Sequence, residues 1–139
     1  MTENGLHVRD AMVTEPLALD VSATAQEAGE ALARPAVRAV LVCDGGRLVG
    51  VITRKTLVRE VVAKGLDPTS TPVLSFAEEP IYAVDAAMPL EDAFHQLEER
   101  DLERVPVTDD GRLVGILSRS VVGRRLAEDT DAEAELRPQ

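Results

Sequence analysis

The sequence predicts an α/β (α+β) fold built from one unit used twice, and three observations carry that expectation. The pentapeptide Gly-Arg-Leu-Val-Gly spans Gly46–Gly50 and returns 65 residues later at Gly111–Gly115. At that offset, Arg38–Thr56 and Glu103–Val121 are identical at 9 of 19 positions, which a chance recurrence of five residues would not bring with it. The apolar pattern around each copy reads strand–helix–strand–strand–helix. A half of that size cannot cover its own sheet, whereas packing the two sheets together buries both.

The elements follow in order. Val8–Met12 can form a helical turn before Pro16, and Leu17–Leu19 is a short strand closed by Asp20. Thr24-x-x-Glu27 is a capping box that opens an Ala-rich helix, which Pro35 closes. Ala39–Cys43 and Leu48–Ile52 flank Asp44-Gly-Gly as a hairpin of buried strands, with Gly50 marking a bulge or close backbone approach. Leu57, Val58, Val61 and Val62 recur at helical spacing, and Gly65 is placed to end that helix. Leu66–Glu79, with Pro68, Pro72 and a Ser/Thr cluster, reads as a linker whose tail aligns with Val8–Met12. Ile81–Val84 is a strand, and Pro89 suits the first turn of a helix with Leu90, Ala93, Phe94 and Leu97 on one face. Val105–Thr108 and Leu113–Leu117 repeat the hairpin, and Val121, Val122 and Leu126 begin the last helix. The expected divisions are 1–65 for the first repeat, 66–79 for the linker, 80–127 for the second repeat, and 128–139 for an acidic, disordered tail.

Composition narrows the function. A net charge of −10 opposes phosphate-rich partners, and Phe76, Tyr82 and Phe94 are too few for a base-stacking platform, so nucleic acid is not an expected partner. No segment has the ~20 apolar residues of a membrane span, nor a signal peptide's apolar run. A single cysteine, Cys43, forms no intramolecular disulfide and fits a small core residue; the expected location is cytoplasmic. His7, expected in a mobile N-terminus, and His95, on the outer side of a helix, lack metal-ligand spacing. No nucleophile–base set, P-loop or dinucleotide fingerprint is present, so neither a catalytic residue nor a metal site is expected, and the chain reads as a non-enzyme.

The pattern Val-Pro-Val-x-Asp-x-Gly-x-Leu-Val-Gly-Ile-Leu-Ser at 105–118, with its copy ending Val-Gly-Val-Ile-Thr at Thr53, resembles the cystathionine β-synthase (CBS) domain. Two in tandem form the regulatory unit called a Bateman module, and the resemblance covers about Val8–Leu126. Ala63-Lys-Gly-Leu-Asp-Pro with Ile81-Tyr-x-Val-Asp further resembles stand-alone two-CBS proteins of the mycobacterial hypoxic response type. The resemblance implies two repeats packed sheet to sheet about a pseudo-twofold axis, a homodimer, and a regulatory role towards a protein effector that the sequence does not name. Its members often bind AMP, ADP, ATP or S-adenosylmethionine.

In the family pattern Gly-h-h-Thr/Ser-x-x-Asp, where h is apolar, the hydroxyl and the Asp hold the ribose. Here the copies read Gly50-Val-Ile-Thr53-Arg54-Lys55-Thr56 and Gly115-Ile-Leu-Ser118-Arg119-Ser120-Val121: the hydroxyl is kept in both, the Asp in neither. Thr56 is a weaker, neutral partner than a carboxylate, and Val121 offers no hydrogen bond. Thr53, Arg54, Lys55, Thr56, Ser118 and Arg119 are therefore the candidate ligand residues, the first set favoured over the second. A helix N-cap explains each hydroxyl and is the favoured reading over a ligand role, as a solvated face is for the cations. Two functions remain: a low-affinity adenine-nucleotide or metabolite sensor acting through a homodimer, or a ligand-free protein-interaction module.

Overall fold

The computed structural model describes residues 5–14, 16–80 and 82–136, with side chains of the last helix through Glu128. The elements are α1 (Val8–Ala11), β1 (Val13–Thr14), β2 (Ala18–Asp20), α2 (Ala25–Leu32), β3 (Ala39–Asp44), β4 (Arg47–Thr53), α3 (Arg54–Leu57, continued by a π turn over Val58–Val62), β5 (Val84–Asp85), α4 (Leu90–Glu99), β6 (Arg104–Asp109), β7 (Arg112–Ser118) and α5 (Arg119–Leu136). They gather into two compact units. One holds residues 16–80 with 111–113; the other holds 5–14, 82–110 and 114–136.

In the unit of residues 16–80, β2 runs parallel to β3 (Ala18↔Leu41) because α2 is the crossover between them, and β4 returns antiparallel through the Gly45-Gly46 turn. Thr24 caps α2 as its sequence predicts: its hydroxyl accepts from Glu27 N at 3.3 Å while Thr24 N donates to Glu27 Oε1 at 3.0 Å. Ala25, Ala28, Ala31 and Leu32 then present one stripe to Val40, Val42 and Ile52. Small alanines let the helix lie close to the sheet. Gly65, at φ 69°, ends the helical segment after α3, with Leu66 N bonded to Val61 O.

The other unit repeats the arrangement: β5 parallel to β6 (Val84↔Val107) across α4, with β7 beside β6. Leu90, Ala93 and Leu97 bury the predicted face of α4 against Val107, Leu117 and Val122. The strand expected at Ile81–Val84 is confined to Val84–Asp85, Ile81 lying outside the described residues. The acidic stretch expected to be disordered is helical through Leu136, Ala, Glu and Leu being strong helix formers, and residues 137–139 lie outside the described residues.

The compact units cut across the sequence repeats. Val8–Ala11 and β1, which precede the first repeat's strands, fold on the second: Val8 N donates to Met88 O, Arg9 N to Ala86 O, and Val13 pairs with Ile116. His7, expected to be mobile, bridges to Pro89, and its amide is capped by Asp10 Oδ2 at 2.8 Å. Conversely, the segment expected to be a linker folds on the first repeat. Val73 N bonds Ala23 O, Ala25 N bonds Thr71 O, and Val51 and Glu78 exchange both backbone hydrogen bonds (2.8 and 3.0 Å).

This arrangement explains the duplicated pentapeptide. Its closing glycine is where each segment arrives: a Cβ on Gly50 would stand 2.9 Å from Ala77 Cβ, and one on Gly115 would stand 2.8 Å from Val13 O and 2.7 Å from Met12 Sδ. Only a residue without a side chain admits that approach. Its opening glycines form turns, and the two copies meet there: Leu48 N bonds Gly111 O at 3.2 Å, Leu113 N bonds Gly46 O at 3.0 Å, and the guanidiniums of Arg112 and Arg47 lie over Gly46 and Gly111 respectively. Gly115→Ala should therefore cost roughly 1–3 kcal/mol, as overpacking against backbone does. Chemical denaturation should show this loss, and an unchanged midpoint would mean that residues 12–14 do not lie on β7.

Candidate functional site

Each repeat delivers a hydroxyl at the corner where its last strand becomes a helix. At the first corner, Thr53 caps α3: its Oγ1 accepts from Thr56 N at 3.3 Å, and Thr53 N donates to Thr56 Oγ1 at 3.2 Å. The two hydroxyls also bond each other at 3.0 Å. Thr56 is fully buried. The residue standing where the family pattern has an Asp thus fills the third position of a reciprocal cap, and its hydroxyl is turned to the helix rather than outward. Arg54 donates to Arg34 O at 2.9 Å, tying α3 to the end of α2, while Lys55 is exposed. Of the four candidates here, Thr53 and Thr56 touch one another, and Arg54 and Lys55 occupy the same first turn.

The second corner is built differently. Ser118 and Ser120 both donate to Glu103 Oε2 at 2.9 Å, and Ser120 N donates to the same oxygen at 3.4 Å. Arg119 N bonds Glu103 O at 2.7 Å, so one residue takes the first two amides of α5. The Arg119 guanidinium lies 3.7 Å from Glu103 and 3.6 Å from Asp101. Hydrogen bonds from Ser120, then Ser118, hold the Glu103 carboxyl below the usual range, helped by the helix amide and by Arg119. Sequence reading singled out Ser118 and Arg119 but missed Glu103 and Ser120. The signal was available: Glu103 aligns with Arg38 at the 65-residue offset, a reversal of charge inside an otherwise similar segment.

Other features lie apart from these corners. A groove of about 290 Å³ lined by Pro16, Ala18, Asp20, Cys43, Gly46 and Leu113 includes none of the six candidate residues. Cys43 is buried, and burial together with the nearby Asp20 pushes its thiol above the ordinary value, away from thiolate chemistry. Among the described residues, no group of three His, Cys, Asp or Glu side chains is placed to hold a metal, and no helix is long and apolar enough to cross a membrane. The Tyr82 hydroxyl is buried with no hydrogen-bond partner among the described residues, and Arg100 stacks over its ring at 4.1 Å.

Two copies of a strand–helix–strand–strand–helix unit, each ending in a hydroxyl-bearing corner, define a duplicated α/β module. The chain belongs to the CBS domain family, whose model matches residues 8–63 and again 73–127. It is 36% identical over 93 residues to Hypoxic response protein 1 of Mycobacterium tuberculosis, covering 66% of this chain and 65% of that protein, just under two thirds of the relative's length. It is 30% identical over 111 residues to the CBS domain-containing protein YhcV of Bacillus subtilis, 80% of this chain and 79% of that one. Among solved structures, Hypoxic Response Protein I with two coordinated zinc ions superposes with a TM-score of 0.72 at 29% identity, over 87% of this chain and 99% of that one. CBSX2 in complex with AMP superposes at 0.71 and 28% identity, over 91% and 99%.

The depressed Glu103 carboxyl has a consequence with a definite sign. Its folded-state pKa lies below the unfolded value of about 4.3. The stability it contributes is therefore complete above that value and is lost as pH falls through the folded pKa. Thermal melts of wild type and Glu103→Gln should differ most near neutral pH and converge in acid. A difference independent of pH would show that the carboxylate charge plays no part.

Proposed function

We propose that this chain is a regulatory CBS pair, not an enzyme, which senses an adenine nucleotide or related metabolite weakly through its first repeat and acts on a protein effector as a homodimer in the cytoplasm. The observation that carries this reading is the difference between the two corners. At the first, Thr53 bonds Thr56 and Arg54 bonds Arg34 O, with no carboxylate among these bonds within the described residues; at the second, Glu103 takes the hydroxyls and the helix amides. Support also comes from the AMP complex of a structural relative that matches nearly its whole length. Low affinity follows from Thr56, because a neutral hydroxyl already engaged in a cap offers less than the charge-assisted bond of an Asp. The coupling a sensor needs is modest, of the order of 1–3 kcal/mol.

A second reading is favoured by the same cap. With Thr53 and Thr56 satisfying one another, the first corner needs no ligand, and the chain works as a ligand-free protein-interaction module. A thermal-shift panel with AMP, ADP, ATP and S-adenosylmethionine separates the two. A ligand at a hundredfold its dissociation constant stabilises the fold by about 2.7 kcal/mol. Under the sensor reading at least one compound raises the melt at millimolar concentration. Thr53→Val removes most of that increment, beyond its own capping cost of about 1 kcal/mol, and Ser118→Val leaves it in place. No shift with any compound would leave the interaction module as the surviving reading.

A further inference from the structure

The two corners are equivalent in sequence position but not in occupancy. The α5 amide and both serine hydroxyls at the second corner converge on a single oxygen, Glu103 Oε2. That oxygen comes from the loop before β6, fifteen residues before Ser118 in the chain. A helix cap needs nothing so remote: at the first corner Thr53 and Thr56 cap α3 from within the same turn, and the residue aligned with Glu103 is the cation Arg38. The carboxylate therefore places an anion among two hydroxyl donors, a helix amide and the Arg119 guanidinium, the donors an incoming phosphate or carboxylate group would otherwise use.

We propose that Glu103 is a built-in occupant that closes the second repeat to anionic ligands, so that the chain has at most one usable ligand position, in its first repeat. The exclusion is both steric and electrostatic. A phosphate oxygen would have to displace Oε2 from three hydrogen bonds, and until it did so the two negative charges would oppose each other. The inference rests on reading the strand-to-helix corners as ligand positions, but it does not require that the first one bind.

The test is a titration of ¹⁵N-labelled protein with AMP, and separately with inorganic phosphate, in wild type, Glu103→Ala and Glu103→Gln. Amide signals of Ser118, Arg119 and Ser120 report the second corner, and those of Thr53 and Thr56 report the first. In wild type the second-corner signals should stay still. In Glu103→Ala they should move and saturate with AMP at a concentration at least about tenfold lower than any wild-type response, and Glu103→Gln, which keeps the shape and drops the charge, should fall between. Phosphate alone moving the same signals would place the recognition in the anion; a response to AMP only would place it in the nucleoside. Should the Ala variant melt out, the near-isosteric Gln variant decides. Saturable movement of Ser118 and Ser120 in wild type overturns the proposal, as does a folded variant that stays silent. Silence of Thr53 and Thr56 in all three proteins would end the sensor reading while leaving the role of Glu103 to the second-corner signals.

Discussion

The structure depends on two close approaches of backbone to a strand glycine. At Gly50 the segment 77–78 lies against β4, and at Gly115 the segment 12–13 lies against β7. Each arriving segment also adds to the core it meets: Val8 and Ala11 in one unit, Val73 and Phe76 in the other. The consequence is that neither repeat, cut out as a contiguous piece of sequence, contains its whole folding unit. A leading segment always belongs to the other repeat's core. The duplicated pentapeptide is the local signature of this constraint, with turn glycines at its start, apolar residues in its middle and the receiving glycine at its end.

Beyond the shared scaffold, the two repeats differ in the few residues that follow the pentapeptide. Both corners need their first helical amides satisfied, and the chain meets that need in two ways. Thr53 and Thr56 do it locally and at low charge. Glu103 does it from a distance with a full negative charge, drawing in Ser118, Ser120 and Arg119. Hydroxyl-to-hydroxyl and hydroxyl-to-carboxylate bonds are not equivalent competitors for a ligand, since the charged acceptor holds its donors more strongly. The two corners of the duplicated fold thus differ in charge and in hydrogen bonding.

Much of this was legible in the sequence. The 65-residue repeat, the Thr24–Glu27 capping box, the buried hairpins and the apolar face of α4 are local or periodic signals, and physics reads such signals directly. Gly50 was legible as a close-approach position, though not what approaches it. The exchange of leading segments was not legible, because residues 8–14 and 66–80 carry only weak local preferences and their places are set by tertiary pairing. In the tail two signals compete, since its charge suggests disorder while its Ala and Glu content favours helix. At the site, the family-pattern positions led to Ser118 and Arg119, whereas Glu103 lay outside the pattern and showed only as a reversed charge opposite Arg38.

The central claim is that each leading segment belongs to the other repeat's folding unit, and native-state hydrogen exchange tests it most directly. Leu97→Ala opens a cavity in the core that holds Val8, at a cost of about 2–5 kcal/mol. The account predicts that the Val8 and Arg9 amides then exchange faster together with those of α4, while the Val51 and Val73 amides keep their wild-type protection. If instead Val8 and Arg9 stay protected and follow the amides of Val40–Ile52, the leading segment belongs to its own repeat and the account fails.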